Sequence, residues 1–205
     1  MKLNVLASLM LSLSLVAGTA VGATASVGQP APAFSVSDAA GKAVSLADFR
    51  GRTVVLEWVN PECPYVRKHY GSANMQATQK GATATGVVWL AVNSTHPSHG
   101  DFKTPAAMNS WTQQQGAAPS ATLMDSDGKV GRAYGARTTP HMYVIDAKGT
   151  LVYAGGIDDK PSANPADVKT AKNFVNAALV DMRAGRPVAQ PVTRAYGCSV
   201  KYSDG

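Results

Sequence analysis

One stretch of sequence decides the fold: it reads TVVLEWVNPECP and spans residues 53–64. Residues 53–59 are apolar and rich in β-branched side chains apart from Glu57, which is typical of a buried central strand. Pro64 suits the first position of a helix, where its missing N–H costs nothing. We therefore predict a buried strand that runs through a short loop into a helix, with Cys63 at the junction.

Strand and helix patterns alternate along the rest of the chain. An amino-terminal hairpin at 33–45 and a helical turn at 46–49 are predicted before the deciding stretch. After it we predict a helix from 64 to about 80, a strand at 86–92, a helix at 104–115, a strand at 121–125, a short helix at 130–134, a hairpin of 142–146 with 151–155, and a helix from 164 to 185. This order predicts a single three-layer α/β domain with a mixed central sheet.

Composition narrows the class of protein. The chain has 205 residues, of which 45% are hydrophobic and 16% charged, enough for one substantial core but not two. This composition excludes intrinsically disordered proteins, collagen-like proteins and small scaffolds held together by many disulfides. The net charge of +6 is dispersed, and the longest basic block is Arg67-Lys68. We expect a solvated basic surface and no nucleic-acid partner.

The amino terminus has the features of a secretory signal peptide. Lys2 precedes an apolar stretch at 3–21, and Ala23-Thr24-Ala25 supplies a cleavage site of small residues. We expect a signal peptide at 1–25, a domain at 26–185 and an irregular tail at 186–205, with a periplasmic or secreted location. An uncleaved amino-terminal anchor is the alternative, and no later stretch resembles a membrane span.

The chain has two cysteines, Cys63 and Cys198. In an exported chain such a pair is a candidate disulfide. One interpretation is a structural staple, whose long loop contributes roughly 4–5 kcal/mol in the chain-entropy description. The other interpretation is a redox centre.

The surroundings of Cys63 favour the redox interpretation. Its sulfur is expected to face the free amide groups and the positive dipole end of the helix, which lower the pKa of a thiol. Arg67 lies one turn further on the same helical face, with Lys68 beside it. We therefore expect both the helix start and the basic side chains to favour a Cys63 thiolate.

Two motifs together resemble the thioredoxin fold: Cys63-Pro64-Tyr65-Val66 at a helix start, and Thr139-Pro140 just before the late hairpin. The amino-terminal hairpin, the insertion at 93–111 and the stretch at 125–135 resemble its redoxin branch, over about residues 26–185. That branch contains the TlpA/ResA-like thiol-disulfide oxidoreductases and the AhpC/TSA peroxiredoxins. The resemblance implies that Pro140 is a cis-proline that stands against Cys63 and helps to hold the substrate backbone.

The chain departs from both family patterns. Val66 stands where a thioredoxin has its second cysteine, and Leu56 and Asn60 replace the proline and the threonine or serine of the peroxiredoxin pattern. Cys198 is therefore the only candidate for an intramolecular resolving thiol, and we expect a flexible tail to bring it to Cys63. Arg137 is a weak match to the peroxiredoxin arginine that polarises the peroxide.

Other titratable residues in the chain are weaker candidates. Glu57 matches the buried acid that relays protons in thioredoxins, with a surface carboxylate on an edge strand as the alternative. His141 could complete a soft-metal site with the two cysteines, whereas His96 and His99 are expected to be solvated. The predicted catalytic residues are Cys63, Cys198, Glu57 and Pro140, and the predicted substrate-binding residues are Thr139, Pro64, Asn60 and Arg137.

The function that this combination favours is an exported thiol-disulfide oxidoreductase, with Cys63 as nucleophile and Cys198 as resolving thiol. A thiol peroxidase that forms a sulfenic acid on Cys63 is the alternative. The non-enzymatic alternative is a metal carrier, or a protein in which the cysteine pair is only a structural disulfide. We expect no cofactor and no resident metal. The expected partners are protein or small-molecule disulfides and thiols, hydroperoxides for the peroxidase, and an electron donor that the sequence does not identify.

Overall fold

The structure is a computed structural model that describes residues 24–203. Its central sheet has five strands: β3 (Val54–Trp58), β4 (Val88–Asn93), β5 (Ala121–Met124), β7 (His141–Ile145) and β8 (Leu151–Gly155). Four short strands lie outside this sheet: β1 (Ser35–Ser37), β2 (Ala43–Ser45), β6 (Thr138–Thr139) and β9 (Cys198–Ser199). The helices are α1 (Pro64–Gly71), α2 (Asn74–Thr83), α3 (Pro105–Gln114), α4 (Lys129–Tyr134) and α5 (Phe174–Arg183), with 3₁₀ turns at Leu46–Phe49 and Pro165–Thr170.

The central sheet is mixed, as the sequence predicts. Its strand order is β5-β4-β3-β7-β8. The pairs β3–β4 and β4–β5 are parallel, and β3–β7 and β7–β8 are antiparallel. Strand β3 is central and all of its residues are buried. The deciding stretch therefore leads from the middle of the sheet directly into α1.

Helices α1, α2, α3 and α5 cover one face of the sheet. A smaller layer that includes β2 and α4 covers the other face. Val55 and Val59 of the central segment belong to one apolar cluster, together with side chains of α1, α2, α3 and α5. Leu56 and Trp58 belong to a second cluster, which includes Val44 of β2 and Tyr134 of α4. The predicted three-layer α/β architecture is confirmed.

Two predicted helices are shorter than the polarity pattern indicates. The helix expected at 64–80 breaks at Ala73, which has a left-handed φ of 59°. The Tyr70 carbonyl accepts from the Ala73 amide at 3.1 Å and from the Gln76 side chain at 2.9 Å. The last helix begins only at Phe174, because Ala171 is extended and the Asn173 side chain caps the helix by accepting from the Asn176 amide at 2.9 Å. A left-handed residue ends the predicted periodicity in the first case, and an extended segment with an Asn173 cap ends it in the second.

The carboxy-terminal segment differs from the flexible tail that we expected. Residues 193–202, which we call the strap, form an extended segment with hydrogen bonds along its length. The Gly156 amide donates to Thr193 Oγ1 at 3.0 Å, and the Val200 amide donates to the Arg137 carbonyl at 3.0 Å. The His96 amide donates to the Lys201 carbonyl at 2.8 Å. The strap is thereby fixed across the surface that contains Cys63.

The predicted signal peptide falls mostly outside the residues that the structure describes, since only Thr24 and Ala25 of it are included. Within residues 24–203, none of the helices has the length and apolar character needed to cross a membrane.

Candidate active site

The loop from β3 to α1 is held by Asn60, which is 2% exposed. Its Oδ1 accepts from the Glu62 amide at 2.9 Å, and its Nδ2 donates to Asp101 Oδ2 at 2.9 Å. The Cys63 amide donates to the Asn60 carbonyl at 3.1 Å. Both ends of the Asn60 side chain are thus used within the protein. Asn60 therefore holds the loop that presents Cys63, and its substrate-binding role stays a prediction.

Cys63 is the residue that caps the amino end of α1, and Pro64 occupies the first helical position as expected. The side chain of Cys63 is only 2% exposed. Its sulfur lies 2.7 Å from Cys198 Sγ and 3.0 Å from the Thr139 carbonyl oxygen, and neither cysteine is joined in a disulfide. The structure therefore brings the two predicted sulfurs together.

The segment that faces Cys63 contains the predicted cis-proline. The Thr139–Pro140 peptide bond is cis, and both residues are buried. Thr139 belongs to β6, which pairs antiparallel with β9 so that Thr139 lies directly opposite Cys198. Cys198 thus reaches Cys63 as part of a strand laid against the cis-proline segment.

The two thiols have opposite pKa shifts. Burial raises the pKa of Cys63, but hydrogen bonds from the Cys198 thiol, from the Thr139 hydroxyl and from the Val66 and Cys198 amides outweigh burial, so its pKa is lowered. Burial, the hydrogen bond to Cys63 and the negative charge on Cys63 raise the pKa of Cys198. Cys63 therefore ionises first, and Cys198 keeps its proton and stabilises the Cys63 thiolate.

The basic residues of α1 do not take the roles that we predicted. The Arg67 side chain is 59% exposed, forms an ion pair with Glu62 and donates to the Pro61 carbonyl at 2.9 Å. Lys68 is fully buried, with its Nζ 2.7 Å from the Lys160 carbonyl oxygen. The prediction that both cations favour the thiolate is wrong, because each is bound to another partner. The Val66 amide, at the start of the helix, does lower the pKa of Cys63 as expected.

Glu57 is fully buried on β3, so the edge-strand interpretation is wrong. Its Oε1 accepts from the Tyr70 hydroxyl at 2.8 Å. Its Oε2 accepts from Gln79 Nε2 at 3.0 Å and from Trp89 Nε1 at 2.8 Å. Burial raises the pKa of Glu57, and the three hydrogen bonds offset only part of that rise. A carboxyl group with these properties can hold a proton at a higher pH than a solvated glutamate.

The remaining predicted residues lie at the edge of the site. Pro64 and Arg137 are exposed, and Arg137 is joined to the strap through its backbone carbonyl rather than through its guanidinium. His141 stacks on Tyr143 with 4.5 Å between ring centroids, and burial followed by the charge of Arg137 lowers the pKa of His141 to about 4. In the part of the chain that the structure describes, no three histidine, cysteine or acidic side chains are grouped as metal ligands.

The sequence did not predict the polar cluster next to the strap. The Tyr196 hydroxyl donates to Asp158 Oδ1 and lies 3.4 Å from Lys68 Nζ and 3.2 Å from His69 Nε2. All four residues are buried. Tyr196, two positions before Cys198, is the one signal of this cluster in the sequence. Its partners are too far away along the chain to be predicted from it.

The sequence of this chain matches a known protein family. The AhpC/TSA family profile matches residues 27–154. This chain belongs to the AhpC/TSA family, within the redoxin branch of the thioredoxin-like superfamily.

Relatives and solved structures agree with this placement. The chain is 30% identical over 116 residues to a thiol-disulfide oxidoreductase ResA of Bacillus cereus, covering 51% of this chain and 66% of that protein. It therefore spans just under two thirds of that relative. An uncharacterized conserved protein from Geobacillus kaustophilus is 26% identical, with a TM-score of 0.77 over 88% of this chain and 94% of that one. The thioredoxin domain of a Bacteroides vulgatus thiol-disulfide oxidoreductase shares the fold at 23% identity, with a TM-score of 0.51 over 64% of this chain and 89% of that one.

Proposed function

We propose that this protein is a thiol-disulfide oxidoreductase with Cys63 as nucleophile and Cys198 as resolving thiol. The observation that carries the proposal is the pair of sulfurs 2.7 Å apart, of which one has a lowered and the other a raised pKa. An inert structural pair does not require this difference. The likeness to ResA supports the same class of reaction. The substrates that we propose for this protein are disulfides or thiols of proteins or small molecules.

The reaction has two exchange steps. The Cys63 thiolate attacks one sulfur of a substrate disulfide, which forms a mixed disulfide and releases the other substrate sulfur as a thiolate. Cys198 then loses its proton and attacks Cys63 Sγ, so that the Cys63–Cys198 bond forms and the second substrate thiolate leaves. The substrate gains two electrons and the protein loses two. The reverse sequence oxidises a substrate dithiol.

Glu57 supplies the proton exchange in this proposal. Because its pKa is raised, the carboxyl holds a proton at a higher pH than a solvated glutamate does, and it can give that proton to a departing thiolate or take one from an attacking thiol. Its contact with Tyr70 of α1 connects it to the helix that Cys63 caps. General acid–base catalysis of this kind is typically worth about 10²–10⁴-fold in rate.

We further propose that the protein works outside the cytoplasm. The apolar segment and small-residue cleavage site within residues 1–25 support export. Amino-terminal sequencing of exported material is expected to return a mature chain beginning at or near Ser26, and recovery of Met1 would contradict this.

The reaction of the reduced protein with glutathione disulfide tests the proposed chemistry, with mass spectrometry of quenched samples. Wild type is expected to pass through a glutathione adduct to an internal Cys63–Cys198 disulfide. Cys198→Ser is expected to stop at one adduct on Cys63. Cys63→Ser is expected to react far more slowly, because the nucleophile is removed and burial still raises the pKa of the remaining Cys198 thiol.

Three outcomes would contradict the proposal. Two free thiols after mild oxidation would exclude a redox pair. An internal disulfide with a potential below about −300 mV would favour a structural staple. Faster oxidation by hydrogen peroxide than by the disulfide would favour the peroxidase, in which Cys63 becomes a sulfenic acid and Cys198 condenses with it.

A further inference from the structure

The strap covers the place where an extended substrate would meet Cys63. Strand β9 is paired with β6, and the two form a separate two-stranded sheet. The backbone edge of a short strand is a common docking site for an extended peptide, which adds to it as a further strand. In this protein the edge of β6 is already filled, and Cys198 lies opposite Thr139. Cys63, beneath it, is only 2% exposed.

Gly197 allows the strap to approach β6 this closely. Its φ is +138°, a backbone conformation that favours glycine. A Cβ at this position would stand far inside van der Waals contact with the Thr139 carbonyl oxygen, and it would also meet the Thr139 carbonyl carbon at 2.7 Å. These neighbours are backbone atoms, so they cannot turn away as a flexible side chain can. Any side chain at Gly197 would therefore push the strap off β6.

Tyr196 fastens the strap on the other side of Gly197. Its side chain is buried, with the ring 5.9 Å from that of Tyr65 and the Lys68 ammonium 5.4 Å from the ring centroid. Its hydroxyl donates to the buried carboxylate of Asp158. Hydrogen bonds to charged groups in buried positions are among the stronger ones in proteins.

We infer that the strap is an internal pseudosubstrate: it occupies the peptide-binding edge beside Cys63, Tyr196 latches it there, and it must lift before a polypeptide substrate can reach the nucleophile. Tyr196 is then a positioning residue, because it sets how often the edge is free and how readily Cys198 returns. This inference rests on the proposed function for its consequence in catalysis. The docking of the strap can be tested separately.

The test measures how fast Cys63 is modified by a bulky maleimide, using full-length protein with Cys198→Ser so that one thiol remains. Rates are recorded against pH, which separates a change in access from a change in the pKa of Cys63. Adding Tyr196→Phe, which keeps the ring but removes the bond to Asp158, is expected to speed modification about tenfold or more. Tyr134→Phe removes a hydroxyl that is bonded to the Pro32 carbonyl at 2.8 Å rather than to the strap or its anchor, and is the matched control.

Gly197→Ala provides the second arm. In the same Cys198→Ser protein it is expected to speed modification at least as much as Tyr196→Phe. A synthetic peptide copy of residues 193–202, with glycine at 197 and serine at 198, is expected to restore protection when added in excess. Protection by this peptide would identify the edge of β6 as the docking site. A scrambled peptide of the same composition is the control.

The internal disulfide gives a readout that does not depend on alkylation. In the protein with both cysteines, Tyr196→Phe is expected to shift the equilibrium with glutathione about tenfold toward the reduced thiols, because Cys198 is held less closely to Cys63. Unchanged maleimide rates in Tyr196→Phe, equal acceleration by Tyr134→Phe, or no protection by the peptide would overturn the inference. Strap protection without disulfide exchange would instead overturn only the proposed function.

Discussion

The Tyr70 hydroxyl lies 2.8 Å from Oε1 of Glu57, so the helix that Cys63 caps also binds the buried carboxyl of the central strand. Tyr70 is itself fully enclosed, and burial together with the nearby Glu57 charge raises its pKa. The phenol therefore stays protonated when Glu57 ionises and continues to donate to it. Helix α1 therefore contacts the buried carboxyl through Tyr70 and carries the nucleophile at its amino end.

Glu57→Gln is expected to slow disulfide exchange by about 10²-fold, because an amide cannot transfer the proton. The variant is expected to fold normally, since the amide nitrogen can face the Tyr70 oxygen while its carbonyl accepts from Gln79 and Trp89. The pKa of Cys63 is expected to change little, because Glu57 is not among the groups that shift it. Stopped-flow exchange from pH 5 to 9 measures the rate, and equal rates for the variant and wild type would remove Glu57 from the mechanism.

The same substitution is expected to change how stability depends on pH. Burial raises the pKa of folded Glu57 above its ordinary value of 4.5, so the folded state binds more protons than the unfolded state above that pH. This contribution to the free energy of unfolding therefore falls as pH rises from 4.5 through the folded pKa. Urea titrations should show Glu57→Gln gaining stability relative to wild type over that range. A constant difference would mean that the pKa of Glu57 is not raised.

Thr139→Val is expected to raise the pKa of Cys63 by about one unit. The buried Thr139 hydroxyl is bonded to no other group among residues 24–203, so it is available to donate to the Cys63 thiolate, and this side-chain hydrogen bond helps to lower the pKa of Cys63. Valine keeps the shape and removes the donor. The pH dependence of iodoacetamide modification in a Cys198→Ser background measures this pKa. Thr138→Val is the control, since Thr138 donates to the Pro140 carbonyl at 3.1 Å, and an equal shift in both variants would contradict the assignment.

Arg67→Gln is expected to leave the pKa of Cys63 unchanged, although sequence position alone suggests the opposite. The guanidinium is committed to Glu62 and the Pro61 carbonyl on an exposed surface. Loss of such an ion pair costs about 0–1 kcal/mol of stability. The same alkylation profile serves as the measurement. A raised pKa in Arg67→Gln would show that the side chain reaches the thiolate after all.

Hydrogen peroxide is expected to oxidise Cys63 only slowly. Leu56 and Asn60 replace the residues that peroxiredoxins have at these positions, and the Asn60 amide is fully engaged with Glu62 and Asp101. Alignment of a hydroperoxide for attack can be worth several kcal/mol, and these side chains do not supply it. Stopped-flow measurement of the reaction with hydrogen peroxide tests this expectation. A rate constant of about 10⁷ M⁻¹s⁻¹ or above would favour the peroxidase over the disulfide oxidoreductase.

The fold could be predicted because its signals are local. The apolar run that leads into Cys63-Pro64 and the Thr139-Pro140 pair are each contained in a few neighbouring residues. The helix breaks at Ala73 and Asn173 could not be predicted, because they depend on capping and backbone conformation rather than on polarity. The position of Tyr196 depends on partners 38 and 127 residues away in the chain, which no periodic pattern records.

The hydrogen bond from the His96 amide to the Lys201 carbonyl has a consequence for solvent exchange. His96 belongs to the body of the domain, yet its amide proton is sheltered by the strap. That proton should exchange with deuterium whenever the strap lifts, whereas the Val59 amide, bonded to the Val92 carbonyl at 2.9 Å inside the sheet, should exchange only when the sheet opens. Exchange rates give an opening free energy for each of these two amides. The difference between the two values therefore measures how much more readily the strap lifts than the sheet opens.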